Sequence, residues 1–376
     1  MRTLIKSGLP VMLALSLLLA GCGPATPAAP TKAPEATTAP APGEPQITSK
    51  ELNLYGWSEY VPQDLLDAFS QKYGVKVNYD TYASNEELLA KLQAGASGYD
   101  VIIPSDYMIT VMSKLGMLEP IDLNHIPNFA NIDDQFKNPP YDPGNKYTVP
   151  YQWGTVGIAV NTDKVKKPIT KFADLWDPAF KSNLVVLDDE REIIGMALVV
   201  LGYDKNATDP AQLEAAKKKL QELTPNIKLY DSDSPKTALL SGEVVAGVVW
   251  NGEAALAHQE NPAITYVLPE EGCGLWYDNL AIPKDPPHKD AAEAFINWVL
   301  SPEMSILITR DFPYSNPNKA ALELLAKENP EAYKAYMDFP ATNPPAEAIK
   351  KCHLIKDVGE AMTLWDKTWT EIKGGQ

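Results

Sequence analysis

Histidine and cysteine are scarce in this 376-residue chain, which contains four histidines and three cysteines. The histidines lack the spacing that would gather several of them around one metal ion, and they are His125, His258, His288 and His353. The chain also has no Gly-x-Ser-x-Gly elbow, no His-Glu-x-x-His motif and no phosphate-binding loop. These absences argue against a metal centre, against a cofactor and against the common hydrolases and nucleotide-dependent enzymes.

Positive charge is also in short supply, with 33 lysines and arginines against 49 aspartates and glutamates, and a formal net charge of −16. Such a chain would repel the phosphates of a nucleic acid, so we do not expect nucleic acid as a partner. A cationic ligand would instead be attracted by long-range steering. Plain solubility explains the overall charge equally well.

The first 21 residues have a basic start, at Arg2 and Lys6, and then an apolar stretch that is short for a bilayer span. They end in Leu-Ala-Gly before Cys22, which resembles a bacterial lipobox. We therefore predict a signal peptide that is removed and a lipid on Cys22, with an ordinary secretory signal as the alternative. Either one places the protein outside the cytoplasm.

The residues after Cys22 are rich in proline, alanine and threonine, with seven prolines between residues 23 and 46. Such a segment cannot bury a core, so we predict a semi-rigid tether to a membrane. The two remaining cysteines, Cys273 and Cys352, form an even pair in an oxidising compartment. A disulfide between them is our hypothesis.

The rest of the chain, about 330 residues, is long enough for two lobes. Its first part alternates strands and helices, which predicts a mostly parallel sheet flanked by helices. The strands are predicted at 53–57, 75–79 and 100–103. Of the two helices between them, the first is opened by Pro62 and ended by Gly74, and the second begins with a capping box at Ser84 and Glu87. A second α/β unit has strands at 184–187, 228–231 and 244–250 and helices at 193–201, 211–223 and 234–240. Extended stretches at 147–160 and 275–282 would cross between the lobes, and a helix follows at 289–300.

Three apolar runs end in a tryptophan that has an acid two or three residues later. The pairs are Trp57 with Glu59, Trp250 with Glu253, and Trp276 with Asp278. An indole face attracts an organic cation, and a carboxylate supplies the opposite charge and accepts its hydrogen bonds. Any one pair is explained as simply by a core strand that ends near surface acids. The three together favour a cleft for a multiply charged amine.

Seven segments, in this order, carry a resemblance to a known family: Trp57-Ser-Glu-Tyr-Val-Pro62, Ala83-Ser-Asn-Glu86, Pro104-Ser-Asp-Tyr107, Val149-Pro-Tyr-Gln-Trp-Gly154, Leu187-Asp-Asp-Glu-Arg-Glu192, Trp250-Asn-Gly252 and Trp276-Tyr-Asp-Asn-Leu-Ala-Ile-Pro283. With them the chain, over roughly residues 52–360, resembles the spermidine/putrescine-binding proteins of bacterial ABC importers. The resemblance implies the type II periplasmic-binding-protein fold, an α/β fold with a ligand cleft between two lobes. It also implies a polyamine as ligand, a permease as partner, a monomeric state and no bond chemistry.

The resemblance further implies which residues contact the ligand. Aromatic walls around the alkyl chain are expected from Trp57, Tyr60, Tyr107, Trp250, Trp276 and Tyr314. Carboxylates that pair with the amines are expected from Glu59, Asp189, Glu192 and Asp278, and hydroxyl hydrogen bonds from Ser58 and Ser105. From spacing alone, Asp189 and Glu192 fit a helix capping box equally well. Glu253 matches an acid of putrescine-preferring members, whereas Ile355 stands near a glutamine of spermidine-binding members, so a shorter diamine or a mixed preference stays open.

The resulting domain plan has five parts: 1–21 as the lipoprotein signal peptide, 22–47 as the tether, 48–152 with 276–325 as the first lobe, 153–275 as the second lobe, and 326–376 as a C-terminal helical segment packed on the lobes. Three alternatives stay open. The same fold could bind an amino acid, a sugar or a metal ion, although Arg191 is the only arginine within the motifs. The paired acids could act on a glycosidic bond, or the protein could sense polyamines without transporting them.

Overall fold

The computed structural model describes residues 47–95 and 98–374 of the chain. The predicted signal peptide, the predicted lipidation site Cys22 and nearly all of the predicted tether lie outside these residues. Within them, no helix combines the length and the apolar character needed to cross a membrane.

Strands and helices alternate through most of the described chain. The strands are β1 (Glu51–Trp57), β2 (Lys76–Tyr82), β3 (Val101–Ile102), β4 (Leu118–Glu119), β5 (Thr148–Asn161), β6 (Leu184–Val186), β7 (Ile227–Tyr230), β8 (Ala246–Trp250), β9 (Ile264–Val267), β10 (Gly274–Pro283) and β11 (His353–Leu354). The α-helices are α1 (Gln63–Tyr73), α2 (Asn85–Gln93), α3 (Asp106–Lys114), α4 (Glu190–Val200), α5 (Pro210–Leu223), α6 (Lys236–Ser241), α7 (Asn251–Glu260), α8 (Lys289–Val299), α9 (Pro302–Asp311), α10 (Lys319–Glu328), α11 (Pro330–Asp338), α12 (Ala346–Ile349) and α13 (Met362–Lys373). Each predicted strand and helix is present within a few residues of its expected bounds.

The sheet runs in the order β2-β1-β3-β10-β5-β8-β6-β7. At one end β1 is parallel to β2 and β3, and at the other end β6 is parallel to β7 and β8. The centre is antiparallel, because β10 pairs with β3 and β5, and β5 with β8, in antiparallel register. The two ends of the sheet are thus parallel, as the alternation of strands and helices predicts, and the long antiparallel strands β5 and β10 run through its centre.

Local sequence explains the ends of the first helices. Helix α1 begins after Pro62, and Gly74 ends it in a left-handed conformation with φ of 67°, which glycine adopts without a steric penalty. Leu65 and Phe69 are buried beneath it. At α2 the Ser84 hydroxyl accepts a hydrogen bond from the backbone N–H of Glu87 at 3.1 Å, as the capping box predicts.

The C-terminal segment returns to the second lobe. Strand β11 pairs in parallel with the start of β10, and α13 packs on α4 and α5. A disulfide joins Cys273 to Cys352 beside this strand pair. The Arg191 side chain donates to the carbonyl of Lys356 at 2.9 Å. Together these contacts fix the tail around Ile355 against the cleft.

Candidate functional site

The predicted site residues come together at the carboxyl ends of strands, where an open α/β sheet binds its ligands. Trp57 and Trp250 are the last residues of β1 and β8, and Ser105 lies between β3 and α3. Trp276 and Asp278 lie on the returning strand β10. A shift of register between Asp278 and Asn279 marks a bulge, and Ser105 bridges to Asp278 there. Such bulges re-aim side chains beside functional sites.

These elements enclose a cavity between the lobes, here called the interlobe slot. It is lined by Trp57, Ser58, Tyr60, Ala83, Asn85, Ser105, Asp106, Tyr107, Asp189, Glu192, Ser232, Asp233, Trp250, Trp276, Asp278, Tyr314 and Ile355. Eleven of the thirteen predicted ligand-binding residues are in this lining, and Glu59 and Glu253 are the exceptions. Asn85, Asp106, Ser232 and Asp233 are lining residues that the sequence reasoning missed. Ser232 and Asp233 follow β7, so the rule about strand ends could have found them.

Aromatic rings form the apolar part of the slot. Trp276 stands edge-on to Trp250 and to Tyr314, with ring centroids 6.4 and 5.5 Å apart, and Tyr60 meets Tyr314 at 5.3 Å. The Trp250 indole N–H donates to the carbonyl of Ser232 at 3.0 Å, which holds this ring across from β10. The indole N–H of Trp276 is buried and has no hydrogen-bond partner among the described residues.

Two glycines of the quoted motifs make room for these rings. A Cβ atom on Gly252 would lie 2.5 Å from the Tyr314 ring, and a Cβ atom on Gly154 would lie 2.6 Å from the Trp276 ring. Distances this short are not tolerated between carbon atoms. The backbone of β5 and the first turn of α7 therefore support the aromatic wall directly.

Asp278 is a deeply buried carboxylate of the slot, with 5% of its surface exposed. It accepts hydrogen bonds from the Tyr60 hydroxyl at 2.7 Å and from the Ser105 hydroxyl at 2.6 Å. Burial raises the pKa of Asp278 to about 7 despite these bonds. No lysine, arginine or histidine in the described chain forms an ion pair with it.

Asp189 and Glu192 occupy the second lobe's side of the slot. Asp189 caps helix α4 by accepting from the Glu192 backbone N–H at 2.9 Å, and it also faces the cavity. One carboxylate thus has the capping role and a cavity position together. Burial, followed by the nearby charges of Glu192 and Glu86, raises the pKa of Asp189 to about 7. Glu192 differs, because its Oε2 atom pairs with Lys205 at 2.7 Å while its buried Oε1 atom has no partner among the described residues.

Glu59 and Glu253 both form ion pairs with an internal lysine. Lys236 of α6 lies 3.0 Å from Glu253 and also forms an ion pair with Glu59, which comes from the first lobe. The Ser58 hydroxyl donates to Asp233 at 3.0 Å beside this pair. Contacts therefore connect the segment after β1 with the segment between β7 and α6, and Lys236 lies next to Glu253.

Comparison with known proteins places this geometry in a family. The family model described as bacterial extracellular solute-binding protein matches residues 64–341. The chain belongs to this solute-binding protein family. A spermidine/putrescine-binding periplasmic protein of Salmonella typhimurium is 41% identical over 327 residues, covering 86% of this chain and 92% of the relative.

Solved structures agree on the fold. A spermidine/putrescine ABC transporter substrate-binding protein from Streptococcus pneumoniae is 37% identical, with a TM-score of 0.71 over 87% of this chain and 99% of that chain. A lipoprotein of Treponema pallidum is 30% identical, with a TM-score of 0.74 over 86% of this chain and 99% of that chain. The two-lobe type II fold implied by the sequence resemblance is thereby confirmed.

Proposed function

We propose that this solute-binding protein captures a polyamine, putrescine or spermidine, in the interlobe slot outside the cytoplasm. It then delivers the polyamine to the permease of an ABC transporter. The lobes rock about β5 and β10, and closure brings Trp57 and Asp278 together with Trp250 and Asp189 around the ligand. The protein binds and releases its ligand unchanged and carries out no bond chemistry.

The proposal rests on which carboxylates have a positively charged side chain as partner and which do not. Glu192 is paired with Lys205, and Glu253 with Lys236. Asp278 and Asp189 have no such cation among the described residues and line the slot together with its aromatic rings. A buried carboxylate without a counter-charge costs several kcal/mol, so a site built in this way favours a ligand that brings positive charge. Methylene groups between the ligand's amines would bury well against the indole rings.

Calorimetry with putrescine and spermidine tests the proposal. We expect saturable binding of at least one of them by the purified chain, and a loss of roughly 100-fold or more in Asp278→Ala, because a buried charge pair is broken. Asp67→Ala is the matched control, since Asp67 is exposed on α1 and, within the described residues, accepts a side-chain hydrogen bond from Gln63 alone. Unchanged affinity in Asp278→Ala, or no binding of any polyamine, would contradict the proposal.

The proposal includes a lipid anchor at Cys22 and a monomeric body on a Pro-rich tether. Its support is the lipobox-like sequence and the lipoprotein named among the solved relatives. Cys22→Ala should move the protein from the membrane fraction to the soluble fraction while leaving its affinity for putrescine unchanged. Retention of Cys22→Ala in the membrane fraction would contradict the anchor.

A further inference from the structure

A second cavity adjoins the interlobe slot and has no part in the function proposed so far. Its volume is about 610 Å³, against about 60 Å³ for the slot measured in the same way. Asp106, Tyr107, Asp278 and Ile355 line both cavities. We call the larger one the side cavity. Because these four residues belong to both walls, a ligand in the slot would lie next to the side cavity.

Alternation along the central strands gives the side cavity its own aromatic wall. Trp276 faces the slot, and its neighbour Tyr277 lies on the opposite face of β10 and lines the side cavity. Tyr277 pairs with Trp153 of β5, and their rings stack with centroids 6.1 Å apart. Phe136 lies 5.5 Å from the Trp153 ring. Stacked and tilted rings of this kind present faces that attract a cation or an alkyl chain.

Asp106 lies between the two cavities and is 4% exposed. No ion pair and no hydrogen bond from another side chain reaches its carboxylate within the described residues. Burial raises the pKa of Asp106 well above its usual range, and the charge of Asp278 adds to this effect. On the side-cavity face, burial and then the charge of Asp106 raise the pKa of Tyr277.

The side cavity also holds an unsatisfied amide. Gln152 is 3% exposed and lines the cavity, and its buried Nε2 atom has no hydrogen-bond partner in the described chain. Buried polar groups without partners are uncommon and costly. The remaining charges at the rim are paired in part, as in the ion pair of Lys114 with Asp357 at 2.8 Å. Gln152 thus adds an unsatisfied polar group to the inner wall of the side cavity.

We propose that the side cavity binds the distal segment of a polyamine that is too long for the interlobe slot, such as a tetraamine. This inference rests on the proposed function and deepens it. The chain of methylenes passes between Tyr107 and Ile355, an inner ammonium lies at Asp106 and Asp278, and the terminal ammonium faces Trp153 and Tyr277. An apolar Ile355 suits a methylene segment at this junction better than a polar side chain does.

Competitive calorimetry with putrescine and spermine on the purified chain tests the proposal. In Trp153→Ala the dissociation constant for spermine should rise about tenfold, as expected for the loss of one ring face. The dissociation constant for putrescine should stay within about twofold, because Trp153 does not line the slot. Phe136→Ala, on a segment outside the central strands, is a second variant in case Trp153→Ala folds poorly. Trp176→Ala, which alters a tryptophan outside both cavities, is the control.

Each outcome decides one claim. A spermine-specific loss in the side-cavity variants, with one spermine bound per chain, supports the proposal. An equal effect on both amines, no effect on either, or a wild-type chain that binds putrescine but not spermine overturns it and leaves the proposed function intact. A wild-type chain that binds no polyamine at all overturns the proposed function instead.

Discussion

At the residue scale, the slot contains carboxylates whose burial disfavours their ionised form. Burial is the main cause of the raised pKa values of Asp278 and Asp189, both about 7. A bound ammonium reverses this effect, since an adjacent positive charge favours the ionised form. Ligand binding and proton release are therefore linked at these two residues.

This linkage predicts how the affinity for putrescine depends on pH. Below about pH 7 the free protein holds protons on Asp278 and Asp189 that a diamine must displace, so affinity should rise up to tenfold per pH unit for each proton released. Above pH 7 the dependence should flatten, because the carboxylates are already ionised. Calorimetry at pH 6 in two buffers of different ionisation enthalpy measures the released protons directly. Asp278→Asn should release about one proton fewer, and an affinity that is constant from pH 5.5 to 8 would refute the linkage.

At the element scale, the start of α7 holds an aromatic wall in place through Gly252. A glycine-to-alanine change within a helix is ordinarily stabilising by about 1 kcal/mol. Here the added Cβ would lie 2.5 Å from the Tyr314 ring, so Tyr314 or the helix must move.

We accordingly predict that Gly252→Ala lowers the affinity for putrescine by about tenfold or more and gains no stability, as overpacking does in a filled core. Titration calorimetry and urea unfolding measure the two effects. The double variant Gly252→Ala with Tyr314→Ala removes the clash, so in it the added methyl group should have little further effect on affinity. Wild-type binding in Gly252→Ala would show that Tyr314 is not held by this contact.

The tail strand β11 is a second element whose position matters, since it places Ile355 in the slot lining. The disulfide from Cys273 to Cys352 closes a loop of 79 residues, and a bond across a loop of this size contributes about 4 kcal/mol of stability. The double variant Cys273→Ser with Cys352→Ser should lose an amount of this order in urea unfolding. It should also bind putrescine less tightly, because the tail is less constrained. Stability equal to that of the wild-type chain, measured without reductant, would contradict a structural role for the bond.

At the scale of the whole molecule, Lys236 links the lobes by pairing with Glu59 from one and Glu253 from the other. Glu59 is 48% exposed and Lys236 14%, so the link between lobes contributes about 1 kcal/mol or less. Glu59→Gln breaks this link and leaves the pair with Glu253 intact. It should raise the dissociation constant for putrescine by up to about fivefold and shift small-angle scattering towards a larger radius of gyration. Glu51→Gln, at the exposed start of β1, is the control, and an unchanged radius in Glu59→Gln would show that the pair does not favour closure.

The sequence alone predicts most of the strands and helices, but it does not predict which side chains pair with each other in the site. Long elements were predictable, because the apolar face of α1 and the nearly continuous burial of β5 each span many residues. The two-residue strands β4 and β11 were not predicted, because neither has enough positions or a long enough apolar run to show a pattern. The positions of Trp57 and Asp278 followed from the family motifs and from strand ends. The partners of Glu192 and Glu253 could not be predicted in this way. Lys205 and Lys236 belong to other segments of the chain, and only folding brings them near these acids.

The crossing strand β10 bears both Trp276 and Asp278, and it is also one of the two strands that join the lobes. Under the proposed function, the strand that contacts the polyamine is therefore also a strand about which the lobes rock. A substitution on β10 that changes the affinity for the ligand would also change the flexibility of this hinge strand, and hence the rate of ligand release. We therefore expect homologues to differ in ligand preference more often through residues away from β5 and β10, such as those around Ser232 or Ile355, than through Trp276 and Asp278.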